Sequence, residues 1–227
     1  MAEANWLPLE SDPEAFTEYL RDIGIKGVDC VDIFGFDDDC LNFVPKPCYA
    51  VVVCMPAGQK VLNECFKKFA KDKQEGGDDV FFMKQKISNA CGTFALFHSL
   101  ANIRNRVKIF LGDGAFKKWL DEALKLDIEH RSGLLAKCEK LAKAHEKCAK
   151  TGVTSVQLGD KVESHFFCYV SVDNKLYEID SSLPSPLLCC STTEETFLND
   201  VGKICRGYLT EFSSNDFFNA IALVQKV

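Results

Sequence analysis

The chain has 227 residues, of which 47% are hydrophobic and 26% charged, so it has an ordinary globular composition and is not a disordered protein. Its net charge is −6, and residues 1–50 hold eleven Asp and Glu against three Lys and Arg. This excess of negative charge disfavours nucleic acid as a partner and suits a basic protein surface, although a solvated acidic face would have the same composition.

The first predicted elements follow an acidic start, MAEANWLPLESD, which lacks the apolar core of a signal peptide. We therefore expect a cytoplasmic protein. Asp12-Pro13 is a typical helix start, and the apolar spacing after it predicts a helix over 12–23. Strands are predicted at 29–34 and 48–55, the second within an apolar run too short to cross a bilayer, so we expect no membrane partner.

The central part of the chain is predicted to be helical. A helix over 59–70 precedes a charged surface loop at 71–79, and a core helix begins near residue 90. Two amphipathic helices follow, at 114–126 and 131–149. Residues 148–163 then form a polar, irregular stretch that is long for a plain connector and typical of a lid or a binding loop.

The last predicted elements are strands, at 165–172, 175–180 and 218–225. Helices therefore come largely before a run of strands, which predicts an α/β fold of the α+β type with an antiparallel sheet. Because the chain has no internal repeat and no Pro- or Gly-rich linker, we expect residues 1–227 to form a single domain.

Twelve cysteines raise the question of disulfides or metal sites. The chain is long, has no export signal and places several cysteines inside apolar patterns, which favours reduced thiols that pack as small hydrophobic side chains. No C-x2-C pair occurs and the four histidines are scattered, so no metal site is predicted.

Cys91 differs from the other cysteines in its position. It lies in QKISNACGTFALFHSL (residues 85–100), where a polar stretch changes to an apolar one. With Asn89 as N-cap, Cys91 would be the second helical residue, beside backbone N–H groups that favour the thiolate. Gln85 could add its side-chain NH2 to the Cys91 N–H as an oxyanion hole. The alternative is an inert, partly buried thiol.

A nucleophilic thiol needs a base, and one histidine has a suitable position. His98 would lie two turns deeper in the core helix, and His130 and His145 lie in charged helical surroundings that predict solvated side chains. His165 opens the apolar strand HFFCYVSV, and a polar residue at the edge of a strand often faces a cleft.

Strand pairing predicts a partner for His165. If Asp173-Asn174 form a hairpin turn, an even-length loop puts His165 and Asp180 on the same face of the sheet, whereas an odd loop separates them. Asp180 could then accept from one ring nitrogen of His165 and leave the other for the Cys91 proton. An ordinary exposed carboxylate at the end of a strand is equally compatible with the spacing.

With these residues considered together, the sequence resembles the short, single-domain members of the ubiquitin C-terminal hydrolase family from end to end. The segments that carry the resemblance, in the order that the family has them, are WLPLE, VDIFGF, FFMKQKISNACGT, HFFCYVSVDNKLYEID and FNAIAL. NACGT and LYEID are the specific signals among them.

The resemblance implies a papain-like thiol hydrolase with a central antiparallel sheet between helical lobes and with no cofactor. Cys91 is then the nucleophile, His165 the general base and acid, Asp180 the orienting carboxylate and Gln85 an oxyanion donor. The family removes adducts from the C-terminal glycine of ubiquitin beneath a crossover loop, which would be residues 148–163 here. The resemblance does not decide whether ubiquitin-like proteins are accepted, and we expect a monomer.

The resemblance also suggests a role for the acidic N-terminal region, because the tail of ubiquitin is rich in arginine. Glu10, Glu14 and Asp32 match acidic positions near the ubiquitin-binding face of the family. Two features depart from the family pattern. Ser181-Ser182-Leu183 follow Asp180 where the family has glycine and then a basic residue, and the crossover segment is somewhat short.

Two other functions remain compatible with the sequence. Another papain-like Cys-His-Asp enzyme, such as a transglutaminase or an arylamine acetyltransferase, would share the residue order but transfer its acyl group to an amine. A ubiquitin-binding module with a vestigial thiol would bind ubiquitin without turnover.

Overall fold

The structure is a computed structural model that describes residues 4–56, 74–77, 79–105, 113–152, 164–210 and 218–226. The strands in these ranges are β1 (Ala4–Asn5), β2 (Val28–Asp32), β3 (Cys48–Pro56), β4 (Gln74–Glu75), β5 (Ile87–Ser88), β6 (Ser164–Val172), β7 (Lys175–Ile179), β8 (Leu187–Ser191) and β9 (Asn219–Gln225). The helices are α1 (Pro13–Asp22), α2 (Asp38–Asn42), α3 (Cys91–Ile103), α4 (Ala115–Ala123), α5 (Ile128–Ala136), α6 (Glu139–Thr151) and α7 (Phe197–Leu209).

Seven strands form one sheet in the order β2-β9-β3-β6-β7-β8-β4, and every neighbouring pair is antiparallel. The predicted central antiparallel sheet is therefore confirmed. β9, the last strand in the chain, lies between β2 and β3. β1 and β5 form a separate two-stranded parallel pair.

The hairpin of β6 and β7 determines the geometry of the site. Val172 pairs with Lys175, so the loop consists of Asp173 and Asn174 only and has the even length that the pairing of His165 with Asp180 requires. Their φ angles of 50° and 57° are those of a type I′ turn, whose twist matches that of the flanking strands. The pairing continues to Cys168 opposite Ile179, which puts the next position, Asp180, near the start of β6.

Helices cover both faces of the sheet. One face packs against α1 and α3 to α6, with Phe16, Phe94, Trp119 and Leu141 among the buried side chains. The other face packs against α2 and α7 through residues such as Leu41, Phe197 and Val201. Among the helices that the structure describes, α3 is the most deeply buried, because every residue after Cys91 in it is buried. It therefore holds its first residue against a rigid support.

A buried carboxylate joins the sheet to α7. Glu178, on β7, accepts hydrogen bonds from Tyr169 Oη at 2.6 Å and from Tyr208 Oη at 3.0 Å. All three side chains lie in the interior. A buried carboxylate is tolerated only when donors satisfy it, so these two hydroxyls fix α7 against the hairpin that ends at Asp180.

The structure corrects one predicted helix and adds others. The helix predicted over 131–149 is two helices, because α5 ends at Ala136 and α6 begins at Glu139. α2, α7 and β8 were not predicted, and the helix predicted over 59–70 lies outside the described residues. Among the described residues, no helix combines the length and the apolar character that a membrane crossing requires.

Candidate active site

Cys91 is the first residue of α3, and its thiol is partly exposed at that end of the helix. The predicted N-cap at Asn89 is wrong. A capping residue needs an extended backbone, whereas Asn89 has a φ of 61° and turns the chain out of β5. No side chain caps this helix start, so the N–H groups around Cys91 keep their positive partial charge.

The residue after Cys91 lets the N-terminal segment approach the helix. A Cβ atom at Gly92 would lie 3.2 Å from Leu9 Cδ1, so Leu9 packs directly against the backbone there. Leu9 is itself buried. The N-terminal segment therefore supports the end of α3 that carries the thiol.

His165 and Asp180 form a hydrogen-bonded pair. His165 Nε2 donates to Asp180 Oδ2 at 2.8 Å, and the Asp180 side chain is completely buried. This is the contact that the two-residue hairpin loop predicts, since an even loop keeps both residues on one face. The Cys91 side chain lies close enough to the same ring to raise its pKa. The structure thus brings Cys91, His165 and Asp180 together in that order.

Burial and charge act in opposite directions on the His165 imidazole. Burial lowers its pKa, but the charge and hydrogen bond of Asp180, with further contributions from Cys91, outweigh burial and raise the pKa from 6.5 to about 10. Burial likewise raises the pKa of Asp180, while the charge of His165 and hydrogen bonds from His165 and Ser182 lower it below its ordinary value. The pair is therefore an imidazolium and a carboxylate at neutral pH.

Gln85 is held on the loop that precedes β5. Its Nε2 donates to the Ile87 carbonyl at 2.9 Å, and its Oε1 accepts from Ser181 Oγ at 2.9 Å. The backbone N–H of Gln85 donates to the Ser181 carbonyl at 3.0 Å. One hydrogen of the amide nitrogen satisfies Ile87, and the second is available for another acceptor.

Two serines that depart from the family pattern contact the site. Ser181 binds Gln85, as described above, and Ser182 donates to Asp180 Oδ1 from both its backbone nitrogen and its hydroxyl, each at 2.7 Å. Asp180 therefore accepts three hydrogen bonds over its two oxygens. A single sequence holds no signal for these contacts beyond the position of the serines directly after Asp180.

The other histidines lie outside this group. His98 is a core residue, as predicted: its Nε2 accepts from the Met83 N–H at 3.1 Å, and burial lowers its pKa to about 3. His130 is exposed and hydrogen-bonds with Asp127, which agrees with the prediction of a solvated side chain.

The prediction that His145 is solvated is wrong. Its Nε2 donates to the Leu7 carbonyl at 2.7 Å, its Nδ1 accepts from the Thr93 hydroxyl at 2.8 Å, and burial lowers its pKa to about 4. His145 follows Leu141 by four residues and precedes Cys148 by three, and both are buried. The helical spacing of these residues was the signal that could have identified it as an inward side chain.

The three predicted ubiquitin-binding carboxylates lie near the N-terminal segment. Asp32 lies at the end of β2, and burial raises its pKa above its ordinary value although the neighbouring Asn219 side chain lowers it. Ser11 Oγ donates to Asn219. The neighbouring Glu10 packs against Gly152, where a Cβ atom would lie 2.6 Å from Glu10 Cδ. Glu14 is exposed in the first turn of α1.

The predicted crossover loop is only partly described. Residues 148–151 form the last turn of α6, which corrects the predicted start of the loop, and residues 153–163 lie outside the described ranges. Gly152 ends the described part next to Glu10. The eleven cysteines in the described ranges are free thiols, and within those ranges no group of three or more His, Cys, Asp or Glu could hold a metal ion.

Comparison with known proteins places this arrangement in a family. The family model described as "Ubiquitin carboxyl-terminal hydrolase, family 1" matches residues 6–210. A probable ubiquitin carboxyl-terminal hydrolase of Dictyostelium discoideum is 34% identical over 99% of this chain and 89% of its own length. Human ubiquitin carboxyl-terminal hydrolase isozyme L1 is 35% identical over 95% of this chain and 96% of its own length.

A solved structure confirms the fold. The catalytic domain of Trichinella spiralis UCH37, crystallised with ubiquitin vinyl methyl ester, superposes with a TM-score of 0.81 at 24% identity and covers 100% of this chain and 98% of that one. The predicted papain-like α/β fold, with a central antiparallel sheet between helical layers, is therefore correct.

Proposed function

Because the chain belongs to ubiquitin carboxyl-terminal hydrolase family 1, we propose that it is a thiol hydrolase that removes small adducts or short extensions from the C-terminal glycine of ubiquitin. The observation that carries this proposal is the hydrogen bond between the His165 ring and the buried Asp180 carboxylate, with the Cys91 side chain near enough to the same ring to raise its pKa. A thiol, a base and an orienting group in this order form an activated nucleophile.

The proposed reaction has two steps. The Cys91 thiolate adds to the carbonyl carbon of the terminal glycine, and the His165 imidazolium gives its proton to the departing amine, which leaves a thioester. A water molecule then loses a proton to His165 and attacks the thioester. This second step restores the thiolate and the imidazolium and releases the glycine carboxyl group, which loses its remaining proton to solvent and becomes a carboxylate.

Gln85 is the proposed partner of the Cys91 N–H in holding the oxyanion of both tetrahedral intermediates. The Gln85 side-chain NH2 group donates one hydrogen to the Ile87 carbonyl, which leaves its second hydrogen as a donor on the loop before α3. This second donor supports the proposed role. A donor aimed at developing charge contributes about 10²–10³-fold in rate. No step requires a metal or an organic cofactor.

The domain organisation follows the same proposal. We infer that residues 1–227 form one catalytic domain and that the segment from the end of α6 to residue 163 is a crossover loop that limits the size of the leaving group. The position of Gly152 against Glu10 supports this inference. It places the start of the crossover segment beside the N-terminal segment, whose Leu9 packs on α3.

The proposed ubiquitin contact of Asp32 can be tested kinetically. We expect Asp32→Asn to raise KM for a ubiquitin C-terminal amide about 5–10-fold with kcat unchanged, because a partly buried carboxylate that meets a basic tail contributes to binding rather than to chemistry. Added salt should reduce the difference from wild type. Glu139→Gln, which removes an exposed charge on α6, is the control, and equal KM values for the two variants would contradict the contact.

The proposed nucleophile can be tested with ubiquitin vinyl methyl ester, an electrophile that captures a thiolate. Wild type should gain the mass of one ubiquitin and should also hydrolyse a fluorogenic ubiquitin amide. Cys91→Ala should do neither. Cys190→Ala, which removes an exposed thiol elsewhere, should behave as wild type. Labelling of Cys91→Ala at the wild-type rate would remove Cys91 from its role.

The two alternatives are separated by adding an amine acceptor and a measurement of ubiquitin binding to this experiment. An acyl transferase would form an amide product, rather than the free glycine carboxylate, when an amine is offered. A ubiquitin-binding module would bind ubiquitin equally well with and without the Cys91 thiol and would show no turnover.

A further inference from the structure

Ser181 and Ser182 contact both sides of the proposed active site from adjacent positions. Ser181 contacts the Gln85 amide, and Ser182 contacts the Asp180 carboxylate. The family pattern has a glycine directly after the catalytic Asp and a basic residue soon afterwards, whereas this chain has Ser181-Ser182-Leu183, so that pattern does not account for the two hydroxyls. Their contacts therefore need an explanation of their own.

The Ser181 contact orients an amide. Ile87 offers a carbonyl, which can only accept, so the NH2 end of Gln85 must face it. Ser181 Oγ then donates to the opposite, oxygen end of the same amide. Ser181 is 4% exposed, so water does not compete well for this bond. The two contacts hold Gln85 in one rotamer with its second N–H hydrogen free.

The Ser182 contact orients a carboxylate. Asp180 Oδ1 accepts from the nitrogen and the hydroxyl of Ser182, while Oδ2 accepts from His165. With both oxygens occupied, rotation of the carboxylate about its Cβ–Cγ bond would break hydrogen bonds at each end. Ser182 therefore fixes the orientation of the Asp180 carboxylate, and this carboxylate fixes the orientation of the imidazole that faces Cys91.

The backbone joins the two contacts. Gln85 N donates to the Ser181 carbonyl at 3.0 Å, and Leu183 N donates to the Asp180 carbonyl at 3.1 Å. The turn that follows Asp180 is thus fixed to the loop that carries Gln85. A displacement of either side moves the other, because neighbouring residues carry the two hydroxyls.

We propose that Ser181 and Ser182 are positioning residues of the reaction, Ser181 acting through the Gln85 amide and Ser182 through the Asp180 carboxylate. This inference rests on the proposed hydrolase function. Positioning contacts affect the rate because a catalytic group that is displaced by about 1 Å loses much of its effect on the reaction.

The variants Ser181→Ala and Ser182→Ala test the two contacts, with Ser185→Ala as the matched control. Ser185 lies in the same turn, and its buried Oγ has no hydrogen-bond partner among the described residues, so its removal breaks no known contact. With a fluorogenic ubiquitin amide, we expect each of the first two variants to lower kcat about 10-fold, with KM within about 2-fold of wild type. Ser185→Ala should keep the wild-type kcat.

Two further readouts separate positioning from simple support of the fold. Ser182→Ala should move the acid limb of the kcat profile to higher pH, because Asp180 loses a donor that stabilises its charge, and Ser182→Thr should restore the limb. Ser181→Ala should leave the limb in place, since Gln85 does not titrate. In a Gln85→Ala background, Ser181→Ala should have no further effect on kcat.

The outcomes are distinct. The inference is overturned if Ser181→Ala lowers kcat by the same factor with and without Gln85, or if Ser182→Thr behaves as Ser182→Ala. It is also overturned if both alanine variants match Ser185→Ala. In each of these cases wild type still hydrolyses ubiquitin amide, whereas a wild type without hydrolysis defeats the proposed function itself.

Discussion

Asp180→Asn should lower kcat/KM for a ubiquitin C-terminal amide about 10³-fold, although the two side chains have nearly the same shape. The reason lies in the donors around the carboxylate. The backbone N–H of Ser182 donates to Oδ1 and can never act as an acceptor, and His165 Nε2–H donates to Oδ2. An amide has only one oxygen for these two positions.

Either orientation of the new amide is unfavourable. If the oxygen of the new amide faces Ser182, its NH2 group faces His165 and donates to the ring. The ring then carries its own proton on the nitrogen that faces Cys91. A ring in this tautomer cannot accept the thiol proton. If the amide oxygen faces His165, the NH2 group opposes the Ser182 N–H in a buried position. A wrong histidine tautomer accounts for losses of about 10⁴ in serine proteases, and partial occupancy of the correct one makes 10³ the expected value here.

The pH profile should change with the rate. In wild type the imidazolium persists until the pH reaches the His165 pKa of about 10, so the alkaline limb of kcat/KM should lie there. Without the Asp180 charge, the ring loses the contribution that chiefly opposes burial, and its pKa falls. The alkaline limb of Asp180→Asn should therefore move to lower pH than that of wild type.

The same pKa shift contributes to stability. Because the folded-state pKa of His165 is raised, the contribution is complete below pH 6.5 and is lost as the pH rises through 10. The lowered pKa of Asp180 gives a contribution that is present above its ordinary value of 3.8 and is lost on acidification. Both contributions are complete together only in mildly acidic solution.

The control is Asp173→Asn, the same substitution at an exposed turn position of the hairpin with a φ of 50°, a conformation that Asn also accepts. Rates across pH 5–11 with the fluorogenic amide provide the measurement. A variant of Asp180 that kept a tenth of the wild-type rate and an alkaline limb near 10 would show that Asp180 does not control His165.

Gly24→Ala should destabilise the folded protein by about 3 kcal/mol, because two backbone segments meet at this position with no room for a side chain. A Cβ atom at Gly24 would lie 2.4 Å from Gly114 Cα, and its φ of 97° is unfavourable for alanine. The contact joins the end of α1 to the start of α4, where Phe116 N also donates to the Ile23 carbonyl. Backbone cannot move aside as a flexible side chain does.

The matched control is Gly133→Ala in α5, where an added Cβ would meet nothing within 4 Å. Alanine is favoured over glycine inside a helix, so this variant should gain about 0.5–1 kcal/mol. In thermal unfolding we expect Tm to fall by about 6–12 °C for Gly24→Ala and to rise by about 1–4 °C for Gly133→Ala. Equal Tm values for the two variants would show that the approach of residues 24 and 114 is not close.

Much of the fold was predictable because local patterns agree with it. Asp12 caps α1 with Pro13 after it, as predicted, and the Asp173-Asn174 turn carries the parity that brings His165 to Asp180. These predictions depend on spacing along one or two elements. The chain order of strands and helices, in turn, predicted the antiparallel sheet.

The errors concern positions where a contact from a distant segment decides the outcome. Asn89 has the residue type of a cap, but pairing of β5 with β1 bends the chain there and moves the helix start to Cys91. His145 lies among lysines, yet the Leu7 carbonyl and Thr93 make its buried position favourable. Neither partner is near in sequence.

For the candidate site, the sequence predicted which residues meet but not what holds them. The contacts of Ser181 and Ser182 depend on the turn after Asp180 lying against the loop of Gln85. Those segments are about a hundred residues apart. No sequence periodicity connects these segments, so the contacts of the two hydroxyls can be identified only from the three-dimensional structure.

The position of β9 has a consequence for biosynthesis. β2 and β3 leave the ribosome early, but the strand that pairs with both of them follows all the other described strands in the chain. A nascent chain therefore exposes two unpaired strand edges for most of its elongation, and the sheet closes only after residue 225 has left the exit tunnel. We expect such a chain to depend on chaperones until β9 has emerged from the ribosome.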